Sequence, residues 1–198
     1  NEMKSQTNHD WYHLNGNWNE WQRLEWKFRI PKGFQPTTKF CHLHQLKAQE
    51  GNNGAPLITI STRCDKDGGN KRVQVIHTGD TRTSGKGVII DNLPLADFED
   101  EWIQVETEMH YTHHGTFRIK LTRISDGKVL ADQSFADVDL WRKGATSIRN
   151  KFGIYRSLGR KMQSASDRPD NGLKDESLQL ADFKVYEAHT NPNPQPHD

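Results

Sequence analysis

Residues 40–64 read Phe40-Cys41-His42-Leu43-His44-Gln45-Leu46-Lys47-Ala48-Gln49-Glu50-Gly51-Asn52-Asn53-Gly54-Ala55-Pro56-Leu57-Ile58-Thr59-Ile60-Ser61-Thr62-Arg63-Cys64. Two strand-like runs flank a Gly-Asn-Asn-Gly reversal, a pattern that predicts an antiparallel hairpin. Successive side chains of a strand point to opposite faces, so His42 and His44 are expected to share one. A turn centred on Asn52 and Asn53 sets His44 opposite Ser61, His42 opposite Arg63, and Cys41 opposite Cys64. One face then carries His42, His44, Thr59, Ser61 and Arg63. The other carries Cys41, Leu43, Gln45, Ile58, Ile60 and Thr62. The first is a polar platform and the second a core.

The same alternation recurs along the chain. Leu24, Trp26, Phe28 and Ile30 interleave with Arg23, Glu25, Lys27 and Arg29. Strands are also predicted around Val73 and Val75, around Val88 to Ile90, and from Trp102 towards Tyr111. Phe117, Ile119 and Leu121 precede the turn Ser125-Asp126-Gly127-Lys128 and a returning strand at Val129. Phe152 and Ile154 mark another, and a last strand spans Leu178 to Val185, with a parity break near Ala181 that predicts a bulge. Helical periodicity is confined to short stretches at 93–98 and 138–143. Many short, turn-punctuated strands predict an all-β fold, a two-sheet antiparallel β-sandwich of the β-jelly-roll, concanavalin-like kind with a concave substrate groove. It is expected to occupy 1–188 as a single domain, followed by a disordered polar tail over 189–198.

With 27 basic and 26 acidic residues among 198, the formal charge is +1, which gives no general field for nucleic acid or membrane. No apolar run approaches the ~20 residues that cross a bilayer, and no signal peptide is visible, so a soluble chain is expected. Cys41 and Cys64 are either a disulfide, if the hairpin register holds, or two buried thiols. A bridge would indicate a secreted protein.

Aromatic and basic residues recur on the presumed outward faces, which suits an anionic sugar chain. Sugar faces stack on rings, and carboxylates pair with Arg and Lys. Trp26 and Trp102 read as core, whereas Trp18, with Trp11, Tyr12 and Trp21, reads as a groove wall. In Asn150-Lys151-Phe152-Gly153-Ile154-Tyr155-Arg156-Ser157, strand alternation puts Lys151, Gly153, Tyr155 and Ser157 on one face. A tyrosine beside a lysine and a position without a side chain suits a phenolic proton donor to a bulky substrate.

The His42-Leu43-His44 strand followed by Lys151-Phe152-Gly153-Ile154-Tyr155 resembles the jelly-roll polysaccharide lyases, the group that includes alginate lyases, glucuronan lyases and heparin lyase I. These enzymes carry a Gln-x-His strand and a Lys-x-Gly-x-Tyr strand facing each other across a groove. Here His42 stands at the Gln position and His44 at the His position. Asn1-Glu2-Met3-Lys4 looks like the end of the Arg-x-Glu-Leu-Arg strand of the alginate lyases, with Lys4 for the second arginine. The resemblance implies β-elimination on a uronic-acid-containing polysaccharide, with His42, His44 and Tyr155 catalytic. Lys4, Arg63, Ser61, Lys151 and Trp18 would bind substrate. His42, Arg63 and Lys4 would neutralise the carboxylate, His44 with its ordinary pKa of ~6.5 would be the base, and Tyr155 the acid, or acid and base together. This scheme requires no cofactor and no metal. It implies an anionic polysaccharide or oligosaccharide as partner, without nucleic acid or membrane, and a monomer that is secreted, periplasmic or at the cell surface.

The residues leave other readings open. A non-catalytic, lectin-like carbohydrate-binding module would use the same sandwich and aromatic rim. A sandwich-fold glycoside hydrolase would need two carboxylates near 5 Å apart, for which Glu106 and Glu108 are the strand-like pair. A His42–His44 metal site would need a third ligand such as His77 or His110. Asp65-Lys66-Asp67-Gly68 has the start of a calcium loop without its later ligands, so it reads as a solvated turn with structural calcium as the alternative.

Overall fold

In the computed structural model, residues 14–81, 83–157 and 173–190 are described. Lys4, Trp11, Tyr12 and residues 191–198 of the expected tail lie outside them. Strand β1 (Trp21–Arg29) shows how the sequence builds the sandwich: Leu24, Trp26 and Phe28 are wholly buried while the residues between them reach solvent. Nine further strands follow: β2 (Cys41–Gln49), β3 (Ile58–Arg63), β4 (Arg72–His77), β5 (Gly87–Pro94), β6 (Ile103–His110), β7 (Gly115–Arg123), β8 (Val129–Val138), β9 (Ser147–Arg156) and β10 (Gln179–Ala188). They form two antiparallel five-stranded sheets, ordered β10-β1-β6-β7-β8 and β5-β4-β3-β2-β9. The expected two-sheet β-jelly roll is therefore the architecture of the described residues.

The inner faces of the two sheets share one apolar core. Trp26 on β1 meets Phe152 on β9 edge to face at 5.0 Å, and Phe28 stacks on Phe98 at 6.3 Å. Trp102 is only half-buried, just ahead of β6. The predicted bulge in the last strand is present: pairing of β1 with β10 slips between Glu25 and Lys27, where Asp182 takes a positive φ of 54°.

The helical stretch expected at 93–98 is present as one short turn, and the one expected at 138–143 is a correction. Residues 93–98 end β5 and make a single 3-10 turn, Leu95–Asp97. Residues 139–146 are irregular because Arg142 is buried and its guanidinium donates to the carbonyls of Ala55, Pro56, Thr78 and Gly79, which draws two other loops against this segment.

That anchoring also corrects the hairpin register. Residues 50–57 form a wide loop held from outside, with Asn52 N–H donating to Lys143 O at 2.9 Å and Thr146 N–H to Gln49 O at 3.0 Å. The pairs are Cys41 with Thr62, His42 with Ser61, and then, after a slip, His44 with Ile60 and Gln45 with Thr59. Cys41 and Cys64 are not opposite one another. Both are free, buried thiols, and Cys64 Sγ lies 3.6 Å from Pro36 O.

The slip is a β-bulge at Leu43, matched on β9 by a break between Phe152 and Tyr155. Such a bulge inserts one residue and resets the in–out parity of everything after it. Leu43 and His44 consequently both face the core, at 0% and 2% exposure. The bulge is accommodated on β9 by Gly153, whose φ of 121° is a conformation that side chains rarely adopt. Gly153→Ala is expected to lower the unfolding free energy by about 1–3 kcal/mol through backbone strain, read by urea denaturation. An unchanged midpoint and slope would show that the bulge does not need glycine.

Candidate active site

Four adjacent strands of one sheet, β4-β3-β2-β9, bring a row of polar side chains together on the outward face: Gln74, Ser61, His42 and Tyr155 are successive cross-strand partners. Next to it runs a second row of Thr59, Gln45 and Lys151. Residues directly opposite in an antiparallel pair share a face, so both rows line the same floor. Arg63 follows Ser61 by two positions on β3 and shares that face.

His42 is the best-defined member. Its Nδ1 is 2.7 Å from Ser61 Oγ, and Ser61 Oγ–H donates to Thr59 Oγ1 at 3.0 Å. The imidazole stacks on Phe40 with centroids 5.0 Å apart and lies 6.1 Å from the Tyr155 ring. Burial, reinforced by the nearby Arg63 charge, lowers its pKa from 6.5 to about 4, so the ring is neutral at ordinary pH. Tyr155 is 58% exposed, with its ring 5.3 Å from Phe40. The phenol stands in solvent beside a neutral imidazole.

The surrounding charge is positive. The Arg63 guanidinium makes no hydrogen bond or ion pair among the described residues, and its Nε is buried without a partner. Burial and the like charge of Arg72 lower the Arg63 pKa, while Asp91 opposes them. Burial together with Lys151 and Arg149 also lowers the pKa of Lys47. Like charges held this close favour an anion that would relieve them.

His44 does not join this face. It lies between the sheets, 5.3 Å from the Trp26 ring and 4.8 Å from Phe152. Its Nε2–H donates to Asn150 Oδ1 at 3.0 Å, and Asn150 Nδ2–H donates to Gln22 Oε1, which also accepts from Tyr111 Oη at 2.8 Å. The expected same-face pair of histidines is thus divided, with His42 outward and His44 in the core, because of the bulge between them. His44 and Tyr155 point to opposite sides of the sheet, and His44 is withdrawn as the groove base.

The remaining candidates are dispersed. Trp18 is 53% exposed, but its ring neighbours are His113 at 5.5 Å and Trp141 at 5.4 Å, in the loops at one end of the sandwich, and not His42 or Tyr155. Lys4 is outside the described residues. Glu106 and Glu108 project from the other sheet and are paired with Arg23 and Arg118 respectively. Asp65 pairs with Arg72 at 2.8 Å and Asp67 accepts from the Gly69 N–H, so the 65–68 segment is a turn closed by its own neighbours. Among the described residues no group of three or more His, Cys, Asp and Glu side chains is placed to hold a metal ion. Phe40 and Gln45 were absent from the sequence-based site. Phe40 was legible as a same-face neighbour two positions before His42. Gln45 was hidden by the bulge, which moves it from the expected core to the floor.

A cleft with room for about 500 Å³ lies on the opposite sheet, lined by Trp21, Arg23, Glu25, Glu108, Tyr186 and Glu187 among others. Its arginine is already paired with Glu25 at 2.6 Å and Glu106 at 3.2 Å. That cleft is poorly suited to a polyanion.

No family model and no curated protein matches the chain. Among solved structures, it is similar to a family 7 alginate lyase bearing one His-to-Asn and one Tyr-to-Phe substitution, in complex with substrate. The TM-score is 0.54 at 9% identity over 91% of this chain and 66% of that one. The likeness is one of fold, a β-jelly roll. The alginate lyase from Pseudomonas aeruginosa gives a TM-score of 0.49 at 17% identity over 87% of this chain and 68% of that one. The homodimeric agglutinin CG-16 from chicken liver gives 0.38 at 11% identity over 87% and 95%. The chain thus spans about two thirds of the length of these two lyases.

Burial lowers the His44 pKa from 6.5 to about 4, against a smaller opposing effect of the Asn150 hydrogen bond. A depressed folded-state pKa means that the unfolded chain binds more protons between these values. The stabilisation is therefore complete above pH 6.5 and is lost as pH falls towards 4. The expected loss is about 3 kcal/mol from His44, at 1.36 kcal/mol per pH unit. Urea denaturation across this range should show a shallower dependence for His44→Gln than for the wild type. Identical slopes would remove His44 from the acid response.

Proposed function

We propose that the protein is a polysaccharide lyase that cleaves a uronic-acid-containing chain by β-elimination, acting outside the cytoplasm as a secreted, periplasmic or cell-surface protein. The observation that carries this reading is the opposition of neutral His42 to the exposed Tyr155 phenol on one cationic sheet face. The reaction needs a neutralised carboxylate, a base for the C5 proton and an acid for the leaving oxygen. Arg63 supplies a guanidinium for the carboxylate, with the Gln45 amide on the same floor.

His42 takes the proton from C5. The electrons of the broken C–H bond form the C4–C5 double bond, and the C4–O bond breaks with its pair passing to the glycosidic oxygen. Tyr155 protonates that oxygen, and proton exchange with solvent restores both groups. A water molecule is not consumed, which separates this chemistry from hydrolysis.

Incubation with glucuronan, alginate, ulvan and glycosaminoglycans should produce the ultraviolet absorbance of an unsaturated uronide with at least one of them. Binding without absorbance across the panel would identify a carbohydrate-binding module instead. On the polymer that is cut, Tyr155→Phe should lower kcat by ~10²–10⁴ while leaving binding intact, the usual contribution of a positioned proton donor. A variant with wild-type kcat would remove Tyr155 from the reaction.

The base must be unprotonated, so kcat/KM should hold above the His42 pKa and fall as pH drops through about 4, and not through 6.5. An acid limb centred near 6.5 that disappears in His42→Gln would place the ring in water, contrary to its burial.

A further inference from the structure

Ser61 and Thr59 are both buried, at 0% and 3% exposure, and both stand on the floor beneath His42. A serine hydroxyl has one proton to donate. That proton is directed at Thr59 Oγ1, 3.0 Å away, so only a lone pair of Ser61 Oγ faces His42 Nδ1 at 2.7 Å. Two groups that both offer lone pairs cannot form so short a contact, and Nδ1 must carry the hydrogen. In a neutral imidazole the other nitrogen is then bare.

We propose that the Thr59–Ser61 pair is a positioning device that fixes His42 as its Nδ1–H tautomer and leaves Nε2 as an unprotonated acceptor at the groove floor. The hydrogen bond to Ser61 is the only one made by the His42 ring among the described residues, so no other contact opposes this assignment. Phe40, stacked at 5.0 Å and 14°, restrains the ring plane. Among the described residues, the charged and titratable groups near the ring are Arg63 and Tyr155, from β3 and β9. Neither is hydrogen-bonded to it.

The tautomer divides the work of the site, an extension that rests on reading His42 as the base. An Nε2 lone pair can accept the C5 proton but cannot donate to the substrate carboxylate. Neutralisation therefore falls to Arg63 and Gln45. Thr59 touches no reacting atom in this scheme and acts through Ser61 alone.

Nitrogen-15 spectra of the histidine side chains test the tautomer without substrate, with the His42 signals assigned by their loss in His42→Gln. At pH 7 the wild type should show a protonated Nδ1 and a bare Nε2. Thr59→Val keeps the shape of the side chain but removes the acceptor, freeing the Ser61 hydroxyl to donate to Nδ1. His42 should then shift to the Nε2–H form. Thr59→Ser, which keeps the acceptor, should restore the wild-type pattern and guards against a purely structural effect of the valine.

A wild-type ring protonated on Nε2, or a pattern unmoved by Thr59→Val, would overturn the proposal whatever the activity. If the protein is a lyase, Thr59→Val should also lower kcat on the order of 10- to 100-fold at unchanged KM, since only the residual Nδ1–H population can act as base. A shifted tautomer with an unchanged kcat would retain the device and refute His42 as the base, so the two readings fail separately.

Discussion

The structure of the site depends on one extra residue in β2. Without the bulge at Leu43, His42 and His44 would project from the same face and compete for the same space. With it, one imidazole reaches the groove floor and the other fills the core, although they are two positions apart in sequence. The bulge holds because β9 yields in register opposite it, where Gly153 adopts a backbone conformation closed to most side chains. The glycine of the lyase-like motif is therefore a requirement of the backbone as much as room beside Tyr155.

Placing His44 inside the sandwich creates a polar problem that the core answers with a directed chain. His44 donates to Asn150, Asn150 to Gln22, Tyr111 to Gln22, and Gln22 to the Leu14 carbonyl. The chain spans both sheets and leaves His44 Nδ1 among apolar rings, with no hydrogen-bond partner among the described residues. A buried acceptor left unpaired costs about 1–3 kcal/mol, and protonating it would bury a charge. The network thus makes the core specific about which residues meet across it, and at the same time sensitive to acid.

The two outward sheet faces differ in what they do with charge. On the β1 sheet, Arg23, Lys27 and Arg118 each face a carboxylate at 2.5–3.2 Å, which leaves little field for a ligand. On the β2 sheet, Arg63 makes no ion pair among the described residues, with Asp91 only partly offsetting the effects of burial and Arg72, and Lys47 sits among Lys151 and Arg149. A chain with a net charge of only +1 can therefore still present a local cationic patch around Arg63, Lys47, Arg149 and Lys151, while Arg23, Lys27 and Arg118 on the other sheet are matched by carboxylates. Net charge excluded a general polyanion surface but was silent about a local one.

Period-two alternation in segments such as Leu24 to Phe28 and Phe117 to Leu121 was enough to specify strands, their inner faces and the all-β architecture, because burial on one side imposes that pattern on any sheet. The Lys151-Phe152-Gly153-Ile154-Tyr155 run likewise assigned Tyr155 outward and Phe152 inward from sequence alone. What the sequence could not determine was the phase of β2. A bulge leaves no compositional mark in Cys41-His42-Leu43-His44-Gln45, and its position is set by contacts with β3 and β9 and by the Arg142-anchored loop at 50–57, all distant in sequence. Tertiary structure alone decided that His42 faces Ser61 and Tyr155, that Gln45 lies on the floor, and that Cys41 and Cys64 are apart. The first two follow from one inserted residue, which reverses the face of every side chain beyond it, and the third already follows from the register set by the loop at 50–57.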